Sequence, residues 1–382
     1  VIYLSKRSAT DDNYSEAKGV AVITIYTPDH ALHDAPHEFI EGRLTAPPHE
    51  SPQRAELIRA AVERAGLGPL VPPRAFGAGP LRAVHADDYL AYLEHAYERW
   101  VAAGGSPAAV MPDTLPLRWM GRWLRRAPES PTAAPGYYTY DLSAPIVRGT
   151  YAAARASADL ALTGAALLLE GQRAAYALCR PPGHHAGRDM CGGYCYLNNA
   201  AVAAAYLLQA TNDDQRPAGT SAVAILDIDF HHGNGTQQIF YERSDVLFVS
   251  IHGDPARTYP YFAGFPEERG EGAGEGFNLN IVLPNGTDNP RYLDALDQAL
   301  ARIAQARPRF LVVSAGLDTF GGDPVAQMGQ EASFALTADA YPAIGRRIAA
   351  LGLPTLLVQE GGYATAALGE NVVGLLRGFA GV

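Results

Sequence analysis

Two carboxylates and two imidazoles close an apolar run in Ile225-Leu-Asp-Ile-Asp-Phe-His-His-Gly-Asn-Gly-Thr236. An extended chain sends alternate side chains to one face, which would group Asp227, Asp229 and His231. Imidazole nitrogen and carboxylate oxygen are ligands of divalent metals such as zinc. A second apolar run, Phe310-Leu-Val-Val-Ser-Ala-Gly-Leu-Asp318, also ends in an aspartate. Asp229, His231 and Asp318 then make a three-ligand set with an open position for water. Its donors are weighted towards oxygen, so Zn2+, Fe2+, Co2+ or Mn2+ all suit it. Zinc lowers the pKa of its water towards ~7 and polarises a carbonyl, the chemistry of amide hydrolysis.

A second histidine pair stands in Arg180-Pro-Pro-Gly-His-His-Ala186. His184 and His185 are too close in sequence to share one metal easily. They suit acid–base work, taking a proton from the attacking water and returning one to a leaving amine. Asp227 and Asn234 can each accept a ring N–H from this pair and fix its tautomer. Glu360-Gly-Gly-Tyr363 places a phenol on a glycine-hinged turn, where it can donate to a developing oxyanion; such a donor is worth roughly 3 kcal/mol. Alone, a D-x-H or a GGY turn is weak, and two loop histidines can simply be solvated. The weight comes from their convergence.

Strand-like runs at 21–26, 174–179, 222–228, 246–251, 310–315 and 354–358 alternate with helical patterns at 151–170, 197–209, 290–306, 338–351 and 370–378. Ser51-Pro52 and Asp87 open two earlier helices. This predicts an α/β fold: a single domain with a central, mostly parallel β-sheet covered by helices on both faces. In such sheets ligands gather beyond the carboxyl ends of the strands, where every polar cluster above lies. Residues 1–20 read as an N-terminal extension and 21–382 as the domain. Within it, 105–148 holds seven of the 28 prolines, with Trp100, Trp119 and Trp123 in or beside it. A long irregular stretch of this kind is usually functional, here a rim that narrows the pocket and touches a second subunit.

With 48% hydrophobic and 18% charged residues, the 382-residue chain can bury a large core. A net charge of −10 argues against nucleic acid as a partner. Cys179, Cys191 and Cys195 form no CxxC and read as buried thiols rather than a disulfide framework. No apolar run reaches the ~18 residues of a membrane span, and the start lacks a secretory pattern. The expectation is a cytoplasmic protein without a membrane partner.

The pieces RPPGHHAG at 180–187, GGYCYLNNAAVAA at 192–204, DIDFHHGNGTQ at 227–237, VSIHGDP at 249–255, SAGLDTF at 314–320 and EGGY at 360–363 resemble, in order, the histone deacetylase family of the arginase–deacetylase superfamily. AVHADDYL at 83–90 and GYY at 136–138 look like its bacterial acetylpolyamine amidohydrolase branch. The resemblance implies zinc on Asp229, His231 and Asp318, with His184, His185 and Tyr363 as the catalytic groups. It also implies a structural K+ held by Asp227, Ser250, Ile251 and the backbone of Asp229 and His231. Gly193, Tyr194 and Tyr259 match the substrate tunnel, and Glu38 matches an acidic position of the polyamine-selective relatives. Two glutamates expected near the pocket mouth are replaced by Thr132 and Ser143; Glu129 or Asp141 could substitute. In the family the 105–148 insert pairs subunits, which implies a homodimer.

The leading expectation is a zinc-dependent deacetylase acting on small acetylated amines such as acetylpolyamines. An acyl-lysine protein or peptide deacetylase is the alternative. An arginase-like binuclear manganese hydrolase would need a further bridging aspartate that the 227–237 run lacks. A catalytically inert metabolite binder would retain the fold without turnover.

Overall fold

The structure, a computed structural model, describes residues 19–382 except 41, 117–120, 122, 123, 125, 212–216, 218 and 329–332. Most of the expected N-terminal extension, and Trp119 and Trp123 of the insert, lie outside the described residues. In chain order the elements are β1 (Ile23–Ile25), β2 (Glu38–Ile40), β3 (Arg43–Thr45), α1 (Pro52–Ala65), β4 (Leu70–Val71), α2 (Gly79–Arg82), α3 (Asp87–Ala102), α4 (Ala134–Tyr138) and α5 (Thr150–Leu169). There follow β5 (Ala174–Ala177), α6 (Asn199–Thr211), β6 (Val223–Asp227), α7 (Asn234–Phe240), β7 (Val246–Gly253), β8 (Asn278–Leu283), α8 (Asn289–Ala306), β9 (Phe310–Ala315), α9 (Ala340–Ala349), β10 (Thr355–Gln359) and α10 (Thr365–Ala380).

Eight strands form one sheet in the order β4-β1-β5-β10-β9-β6-β7-β8, parallel at each pairing. Side-chain alternation sorts each buried strand between two apolar layers. Ala224, Leu226, Leu311, Val313 and Leu357 face α1, α8, α9 and α10 through residues such as Ile58, Leu296 and Val372. Val223, Ile225, Val312 and Leu356 face α3, α5 and α6 through Leu93, Leu160 and Val202. The single α/β domain with helices on both faces is as expected.

Some local expectations change. Ser51 stands at the N-cap of α1 with Pro52 after it, but its side chain makes no capping bond. Ala86, not Asp87, caps α3; Asp87 and Asp88 occupy its first turn. Strands β4 and β8 and the β2–β3 hairpin lack the long continuous apolar run of the central strands and are not among the runs read from sequence. Among the described residues, α5 is long and apolar enough to cross a membrane, against expectation, yet 67% of that stretch is buried inside the fold. The three cysteines are buried and free.

Five neighbouring strands, β5, β10, β9, β6 and β7, deliver the polar segments noted above to one edge of the sheet.

Candidate active site and metal centre

Strand β6 ends at Asp227, so Asp229 and His231 lie in the turn beyond it. Strand alternation is therefore not what aligns them. Asp227 Oδ1 accepts from Asp229 N at 3.2 Å, and Asp229 Oδ1 accepts from His231 N at 2.9 Å. Each aspartate caps the backbone two residues on, the Asx-turn chemistry of its short side chain. Asp318, three residues past β9, reaches across to accept from Phe230 N at 2.8 Å. His231 Nδ1 then lies 2.9 Å from Asp318 Oδ2 and 3.3 Å from Asp229 Oδ1. All three residues are buried, and one ligand atom from each falls within 4.8 Å of the others.

This donor set fits a divalent cation. Two buried carboxylates beside one imidazole require positive charge: against the cost of burial, they hold the His231 ring up to about 10. A proton there occupies the place a metal would take. Glycines make the approach feasible: a Cβ on Gly316 would sit 1.8 Å from Asp229 Oδ2, and one on Gly361 would sit 2.6 Å from Asp318 Oδ2. Gly361 N also donates to Asp229 Oδ2 at 2.9 Å.

The histidine pair hangs from the turn after β5, with ring centroids 3.9 Å apart. Glu360 Oε2 accepts from Gly183 N at 2.6 Å and His184 N at 3.2 Å, tying that turn to the one after β10. His184 Nδ1 meets Asp227 Oδ2 at 3.0 Å, whereas His185 Nδ1 meets Asn234 Oδ1 at 2.7 Å. The partners divide the pair electrostatically. Burial opposes charge on His184, but Asp227 and Asp229 hold it up to about 10. Burial, then the charge on His184, push His185 well below its ordinary value. Burial drives the Tyr363 phenol well above 10, so it stays a donor.

Asp229 and His231, the two histidines and Tyr363 open onto a cavity of roughly 440 Å³, with Asp318 fully buried behind them. Gly193, Tyr194 and Tyr259 line it, as do Tyr140, Asp141 and Ser143 from the insert. Gly193 has φ +53°, and a Cβ there would sit 2.5 Å from His185 Cδ2 and 2.7 Å from Tyr259 Oη. Glu38 lies off this lining: it is buried, accepts from His49 N at 3.0 Å and pairs with His49 Nδ1 at 2.5 Å. Thr132 and Glu129 are exposed. Of the residues matched to a K+ site, Asp227 and Ser250 are register partners on β6 and β7, and Ile251 is the next residue of β7, buried. Ser250 Oγ lies 2.8 Å from His252 Nδ1.

Several supports went unread in the sequence. Asp323 Oδ2 accepts from Tyr363 N at 2.6 Å and Ala364 N at 3.0 Å, fixing the phenol-bearing turn. Arg54 donates to Glu360 O at 2.7 Å and Gly362 O at 2.6 Å, and its guanidinium stands 4.5 Å from the Tyr363 ring centroid. Glu50 joins Arg54 to Arg180, at 2.9 and 3.0 Å. The i,i+4 spacing of Glu50 and Arg54 was the one available signal.

The fold and the site together define an arginase–deacetylase-type protein. A histone deacetylase domain model matches residues 48–379, and the chain belongs to that family. Acetylpolyamine amidohydrolase 1 of Pseudomonas aeruginosa is 47% identical over 363 residues, 94% of this chain and 99% of the relative. The acetylpolyamine amidohydrolase of Mycoplana ramosa is 46% identical over 360 residues, with 94% and 99% covered. The crystal structure of acetylpolyamine aminohydrolase from Burkholderia pseudomallei superimposes with a TM-score of 0.84 at 39% identity, covering 94% of this chain and 98% of that one.

Proposed function

We propose that this protein is a zinc-dependent amidohydrolase that removes acetyl groups from small primary amines such as acetylpolyamines. The observation that carries the reading is the clustering of Asp229, His231 and Asp318 at the floor of a cavity that a divided imidazole pair and Tyr363 line. Asp229, His231 and Asp318 would hold the metal, which when bound supplies Lewis-acid polarisation of the carbonyl and a more acidic water. Asn234 keeps the proton of His185 on Nδ1, which leaves Nε2 to take a proton from the attacking water. His184, charged through Asp227, adds positive potential beside it. Tyr363 Oη donates to the oxyanion as it develops. His185 then returns the proton to the departing amine, and acetate and amine are released.

Asp227, Ser250 and Ile251, with the carbonyls of Asp229 and His231, would hold K+ behind the site. The 105–148 insert contributes Tyr140, Asp141 and Ser143 to the wall, in keeping with a rim that narrows the pocket; the same insert would pair two subunits. The two relatives compared above are named for acetylpolyamines, which favours small amines over acyl-lysine peptides. The test is kcat/KM on acetylputrescine beside an acetyl-lysine peptide, with light scattering in parallel. A strong preference for the peptide transfers the reading to protein deacylation.

A further inference from the structure

Phe262 stands at the cavity mouth with 92% of its surface exposed. A phenylalanine so placed gains nothing from burial. Its neighbour Tyr261 holds φ at +65°, a left-handed conformation that bulky residues rarely adopt and that the surrounding structure must over-determine. The loop that carries both is pinned from behind. Glu268 Oε2 accepts from Gly264 N at 2.8 Å and Gln237 Nε2 at 2.6 Å. The Asn278 and Asn280 amides each donate to Gln237 Oε1 at 2.9 Å. The exposed ring is presented on a firm support.

A ladder of rings joins it to the imidazole pair. Tyr259 meets His185 edge-on at 4.9 Å between centroids, Tyr261 follows Tyr259 at 6.3 Å, and Phe262 follows Tyr261 at 6.4 Å. Among the described residues lining the cavity, the carboxylates are Asp229 and Asp141. Asp229 belongs to the metal triad. Asp141 is engaged by Ser143 N at 3.0 Å, Gly193 N at 3.0 Å and Tyr259 Oη at 2.5 Å. Ser143 carries no charge, and the Thr132 hydroxyl lies 2.9 Å from Ser130 Oγ. A cation within about 6 Å of a ring centroid, over its face, is attracted by the ring quadrupole.

We propose that Phe262, with Tyr261 beside it, receives the distal ammonium of the acetylated amine and makes this aromatic rim the specificity determinant of the site. The inference rests on the amide-hydrolysis reading above. It is tested on the metal-loaded full chain with N-acetylputrescine and its uncharged isostere N-pentylacetamide. The wild type is expected to favour the cation through KM. In Phe262→Leu the ratio of kcat/KM between the two substrates falls about fivefold, and in Phe262→Trp it is kept or raised. A ratio unaltered in Phe262→Leu overturns the proposal, as does a change accompanied by a shift in oligomeric mass, which would make Phe262 a subunit contact. A wild type inactive on both substrates would fell the hydrolase reading itself and this inference with it, an outcome distinct from failure of the rim alone.

Discussion

Nδ1 of His185 lies 2.7 Å from the amide oxygen of Asn234, an atom that can only accept. The proton of the neutral ring therefore sits on Nδ1, and Nε2 is left bare. Replacing Asn234 with Ala frees the ring to take the other tautomer. The expected result is a kcat loss of about tenfold or more with metal content unchanged; Asn234→Asp, which keeps an acceptor, should retain most of the activity. Wild-type kcat in Asn234→Ala would remove the tautomer lock from the mechanism.

Tyr363→Phe deletes only the hydroxyl, leaving the ring against Arg54 and the backbone N–H on Asp323. Turnover is expected to fall by about 10²–10³, the usual loss for one oxyanion donor. Metal analysis of the same sample should read as in the wild type. Full activity would show that the phenol takes no part.

Gly193 combines a φ of +53° with no room for a methyl group, since Cβ would press on His185 and Tyr259. Gly193→Ala should keep the fold, read by circular dichroism, and lose most kcat/KM by displacing His185. Unchanged kinetics would mean the loop yields without cost.

Strands β6 and β9 are plain in the sequence because a parallel strand buried on both faces must be a continuous apolar run. Edge strands escape this requirement: β4 is only Leu70–Val71, and β8 alternates Asn278 and Asn280 with apolar neighbours. The candidate metal-ligating residues were legible by type and by strand-end position, but the reason for their alignment was not. Asp229 and His231 are set by side-chain bonds to backbone N–H groups past the strand end, which period-two reasoning cannot foresee. Buried charges such as Arg54, Glu50 and Asp323 were missed because their partners are backbone atoms and distant side chains. Glu38 shows the converse. Its match to an acidic position was visible, but its carboxylate is paired with His49 and is not itself part of the cavity lining.

Two buried carboxylates and an imidazole around one point make a site where a bound cation would also be a structural member. Chelation should abolish activity and lower Tm, and zinc at about 100-fold over its dissociation constant should restore roughly 2.7 kcal/mol. Atomic absorption should count one divalent ion per chain. Two tightly held ions would point instead to binuclear chemistry.

His85 supplies a pH prediction away from the chemistry. Its Nδ1 lies 2.9 Å from the carbonyl of Gly187, so it donates there, and Asn198 N–H donates to its Nε2 at 3.0 Å. Both nitrogens are committed and a second proton would face an N–H. Burial accordingly takes the ring down from 6.5 to about 4, and His33, buried beside Arg180, behaves alike. Between these values the unfolded chain binds the proton and the folded chain refuses it. Stability from His85 is thus complete above pH 6.5 and is lost as pH falls towards 4, roughly 2 kcal/mol of it by pH 5. Urea midpoints for wild type and His85→Gln at pH 7 and pH 5 test this. The variant should be less stable at pH 7 yet decline less on acidification, because one proton-refusing site is gone. A decline equal to that of the wild type would assign the acid sensitivity to other groups.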